Sequence, residues 1–94
     1  MKIAIKRPGE NIRYCNLKPT FNNFYKIIGE PFIALPKGNL SIFMSKSVNK
    51  GTRNVTIDGI DVCGPIIISG STSTGIETDL TLRNIKEIEE LKIV

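Results

Sequence analysis

Ser47 and Lys50 stand three positions apart, the Ser-x-x-Lys spacing in which an amine can deprotonate a nucleophilic hydroxyl. The match stops at four letters, because the companion motifs are missing and the chain has no second domain to enclose the serine. Gly70-Ser71-Thr72-Ser73-Thr74-Gly75 has the glycine spacing of a phosphate loop. Ile76 and Glu77 follow, where Lys and Ser/Thr would hold phosphate and magnesium, and Glu77 would repel the anion. What survives is a small polar turn in which Ser71, Thr72 and Thr74 could meet a ligand through backbone amides and hydroxyls. Asp58 and Asp61 flank Gly59 and could pair for acid–base work, but aspartate at a turn usually serves local hydrogen bonds.

The chain contains no histidine, so it has no Ser-His or Cys-His couple and no imidazole metal site. Its two cysteines, Cys15 and Cys63, are too far apart in sequence for a C-x-x-C pair and read as buried free thiols. The expectation is therefore a protein without catalytic residues, bound metal or cofactor, and not an enzyme.

Charge is the stronger signal. Residues 1–53 hold ten basic and two acidic side chains, a balance of +8, and residues 54–94 hold three and seven, a balance of −4. Such asymmetry can mark a surface for acidic proteins or polyanions. The segment 45–54 has no apolar period and reads as a basic loop. Lys46, Lys50 and Arg53 would supply charge there, with Thr52 and Asn54 adding hydrogen bonds and Arg7 and Arg13 reinforcing the patch. Aromatic residues are not interleaved with these cations, which argues against base stacking.

The elements that must carry these residues follow from periodicity. Residues 2–6 alternate as a half-buried strand with Ile3 and Ile5 on one side, and Pro8-Gly9 suits a type II turn before a returning strand through Ile12 and Tyr14. Thr20 is a good N-cap, and Phe21, Phe24, Tyr25, Ile27 and Ile28 form one stripe of a short helix that Gly29 ends. Residues 32–35 make a strand bracketed by Pro31 and Pro36, which suits an edge, and Lys37-Gly38 turns into a strand over 40–45. The isoleucine run 66–68 reads as a central strand, and Ser69–Gly75 as a flexible turn. Leu82, Ile85, Ile88 and Leu91 stripe a last helix, capped by Asn84 with Glu87 or, one turn earlier, by Thr81. The chain of 94 residues thus reads as one domain, 1–94, of α+β class: a mostly antiparallel sheet of five or six short strands with two short helices on one face. No apolar run approaches the roughly 20 residues of a membrane helix.

The order Phe24-Tyr25-Lys26-Ile27-Ile28-Gly29, a strand, the Lys37-Gly38 turn, a second strand, Arg53-Asn54 and then Ile60-Asp61-Val62-Cys63-Gly64-Pro65-Ile66-Ile67-Ile68 resembles a family of small uncharacterised domains. That family is carried mostly by phages, plasmids and conjugative elements of Gram-positive bacteria. The resemblance covers residues 24–69 and, more loosely, the last helix, with Pro31 and the Arg53-Asn54 order as departures from the family pattern. It implies a mobile-element setting and transfers no catalytic residue. The expected function is a small non-enzymatic binding protein that inhibits or modulates a host defence component by direct protein binding through a basic surface. The alternatives are sequestration of a nucleotide signal, and a nucleic-acid-binding or virion accessory role. The expected partner is a host protein with an acidic or nucleic-acid-binding surface, or a nucleotide ligand, with a homodimer through strand edges also open. The charged start, Met1 to Pro8, does not read as a secretory signal, so the expected location is the cytoplasm, that of the host cell for a phage protein.

Histidine is the only side chain that ordinarily titrates between about pH 5 and 8. Thermal melts across that interval should therefore show little change in stability. A large change would reveal a perturbed cysteine or carboxylate.

Overall fold

The fold is described from a computed structural model covering residues 1–47 and 51–91. In chain order the elements are β1 (Lys2–Lys6), β2 (Arg13–Asn16), α1 (Phe21–Ile28), β3 (Phe32–Lys37), β4 (Leu40–Ser45), β5 (Arg53–Ile57), β6 (Ile60–Cys63), β7 (Ile66–Ser71), β8 (Glu77–Thr78) and α2 (Leu82–Glu90). The main sheet runs β2-β1-β7-β4-β3, with β8 also paired to β7, and β5-β6 form a separate two-stranded hairpin. Every pairing is antiparallel, as an α+β domain built on a mostly antiparallel sheet requires.

The isoleucine run decides the centre. Ile66, Ile67 and Ile68 are fully buried in β7, which β1 and β4 flank. Ile67 packs with Ile3, Ile5, Phe43 and the α1 residues Phe24 and Ile28. Ile66 and Ile68 face the other way, among Ala4, Ile42, Met44, the hairpin residues Val55, Ile57 and Val62, and Ile88 of α2. The two helices, expected on one face, therefore cover opposite faces of the sheet. The reason lies in the strands: β4 and β7 are buried on both sides and β1 from Ile3 onward, and each isoleucine taken out of water stabilises the fold by about 1.5–3 kcal/mol.

Local signals set the element ends. Thr20 caps α1 by accepting from the Asn23 N–H, and Gly29 closes it in the left-handed conformation. Thr81 caps α2 in a reciprocal box with Asn84, which selects the earlier of the two expected caps. The Glu10 N–H donates to the Arg7 carbonyl across the Pro8-Gly9 turn (3.1 Å), and the connection to β2 is longer than a tight hairpin.

Two stretches read as loops are partly strand. Arg53 and Asn54 open β5 rather than ending the basic loop, and Ser69-Gly70-Ser71 extends β7 rather than starting a turn. Gly70 explains the second case. A Cβ at this position would meet Thr78 Oγ1 at 2.6 Å, Asn84 Oδ1 at 2.9 Å and the Asp79 carbonyl oxygen at 2.9 Å. The missing side chain lets β8 and the α2 cap close directly on β7. Gly70→Ala should therefore destabilise the protein by about 1–3 kcal/mol in urea denaturation. A loss below about 0.5 kcal/mol would mean that the β8–α2 junction yields freely.

Candidate functional site

Antiparallel alternation sorts side chains between the two ends of the sheet. β1 and β4 finish at the end where β2, β3 and β7 begin, and β5 starts there as well, since Asn54 Nδ2 donates to the Lys6 carbonyl (2.7 Å) and the Gly64 carbonyl (2.8 Å). This end consequently gathers Arg7, Arg13, Lys46, Thr52 and Arg53. Arg13, Lys46, Thr52 and Arg53 are exposed and Arg7 is half-buried. Lys50 lies outside the described residues. Among the described residues Arg7, Arg13 and Lys46 form no ion pair, whereas Arg53 is engaged by Asp61 (Nε to Oδ1, 3.2 Å) and by the Thr56 hydroxyl (2.8 Å).

Asn54 belongs to the interior of this end. Its Oδ1 accepts from Lys6 Nζ (2.9 Å) while its amide nitrogen makes the two bonds above, so the whole side chain is spent on internal partners. Lys6 is 2 % exposed, and its Nζ also donates to the Arg7 carbonyl (2.9 Å). No carboxylate bonds to it among the described residues. A half-buried strand with Ile3 and Ile5 inside implies a wet Lys6, whereas the structure buries it as a latch between the sheet and the hairpin. The available signal was Ala4, two residues earlier on the same face, whose small apolar side chain suits a covered surface.

The Ser71, Thr72 and Thr74 turn sits at the far end of β7, about 17–20 Å of strand away from the basic end. Its hydroxyls are engaged locally: Thr72 Oγ1 bonds Thr74 Oγ1 (2.9 Å) and accepts from the Ile76 N–H (3.1 Å), and Ser71 Oγ donates to the Thr72 carbonyl (3.2 Å). Within one chain this turn and the basic cluster do not converge. Two open clefts, of about 300 Å³ and about 520 Å³, also lie away from the basic end, along α2 beside the β3–β4 turn, the first with Lys37 and Leu40 facing Glu87 and Glu90 and the second lined by Asn39, Arg83 and Lys86. Among the described residues no three His, Cys, Asp or Glu side chains gather as metal ligands, and no helix is long and apolar enough to cross a membrane.

Two groups are shifted from their ordinary range. The Asp61 carboxyl is held below 3.8, first by the Thr56 hydroxyl, then by the Arg53 hydrogen bond and charge. The Tyr14 phenol is raised above 10.0, by partial burial first and the Glu89 charge second. Asp61 therefore favours the fold above its unfolded value and loses that contribution as pH falls through the lowered one. Tyr14 contributes below its unfolded value and loses the contribution as pH rises through the raised one.

Comparison of the chain with protein-family models, curated proteins and solved structures yields no match.

Asn54→Ala would leave Lys6 Nζ short of an acceptor and the Lys6 and Gly64 carbonyls short of a donor. Urea denaturation should register a loss of about 2–4 kcal/mol. The exposed Arg13→Ala, at the same end, should stay within about 0.5 kcal/mol of the parent. Equal effects for the two variants would contradict the latch.

Proposed function

We propose that the protein is a small non-enzymatic binding protein of a phage or mobile element, which docks its basic end on an acidic surface of a host defence component. The observation that carries this reading is the gathering of Arg7, Arg13 and Lys46 at one end of the sheet with no ion pair among the described residues. Cations left unpaired on adjoining strand ends create a positive field that steers an acidic partner into place. Arg53, already shared with Asp61, adds geometry more than charge.

A protein partner fits better than a nucleic acid. Of the exposed rings, Phe21 stacks on Phe32 (centroids 5.2 Å) and lies 5.6 Å from Tyr25, which leaves Tyr14 alone without an aromatic partner among the described residues. Base stacking would need such rings placed between the cations. The mobile-element setting comes from the sequence resemblance, and the cytoplasm of the host is where such a partner would be met.

A poly-glutamate peptide and a DNA duplex, each fluorescently labelled, test the reading by anisotropy at low and physiological salt. The peptide should bind at low salt and weaken as salt rises. The triple variant Arg7→Glu, Arg13→Glu, Lys46→Glu should lose at least about tenfold in affinity, since each reversed charge is screened but additive. Unchanged binding by the triple variant, or binding to the duplex alone, would overturn the proposal.

A further inference from the structure

We draw no further inference here: the strongest candidate, the free outer edge of β3 with Ile33 and Phe21 exposed beside it, is an unpartnered apolar surface, and nothing in the structure shows what covers it.

Discussion

Burial of Ile66, Ile67 and Ile68 on both faces of the sheet is the constraint from which the rest of the architecture follows. A strand whose successive side chains are all apolar cannot leave either face wet. In a chain of 94 residues no single helix can cover both. One face takes α1, short but rich in rings: Phe24 lies edge-on to Phe43 with centroids 4.8 Å apart. The other takes α2 together with the β5–β6 hairpin, which supplies Val55, Ile57 and Val62 where one amphipathic helix would leave a gap. The hairpin is thus a covering layer, which accounts for its forming a sheet of its own.

A covering layer needs a fastening, and polar chemistry provides it at both ends of the hairpin. At one end the buried Lys6 ammonium donates to Asn54 Oδ1 and to the Arg7 carbonyl, while Asn54 Nδ2 donates to the Lys6 and Gly64 carbonyls. At the other, Lys37 reaches Asp58 at the hairpin tip. The two differ in energetic character. The exposed pair is screened and contributes at most about 1 kcal/mol. The buried set is costly to break, because each group left behind would remain desolvated. Register between hairpin and sheet therefore depends mainly on Asn54.

This division explains what the sequence made legible. Thr20, Gly29, Thr81, the Pro8-Gly9 turn and the isoleucine run act locally, through caps, backbone conformation and period, and each is found where the residues indicated. The same holds for the placement of Pro31 and Pro36 on an edge. The Lys6–Asn54 latch joins residues 48 positions apart, and no local pattern announces it. Read alone, Lys6 is a polar member of an alternating strand and Asn54 a polar member of a loop; only the hairpin folding over β1 makes both interior. The opposed helices were hidden for a similar reason. Strands 2–6 and 40–45 look half-polar because Ala4, Lys6, Ser41 and Ser45 are small or hydrophilic, yet all four are buried. Of the candidate site, the cationic residues were legible by type, and Lys46 and Arg53 reach the surface end. Their meeting with Arg7 and Arg13 depends on strand order, which composition does not encode.

Strand order also gives the two prolines of β3 different meanings. Counted from Lys37, which pairs with Leu40 across the β3–β4 turn, alternate residues turn their backbone groups inward, toward β4. Pro31 lies in this inward series, where its carbonyl serves Lys46 and its missing N–H falls outside the paired residues of β3. Pro36 lies in the outward series, where the missing N–H costs the molecule's own sheet nothing. A proline one position earlier or later would have removed a bond to β4. The edge therefore keeps its full internal ladder while offering an incoming strand a limited and uneven set of groups.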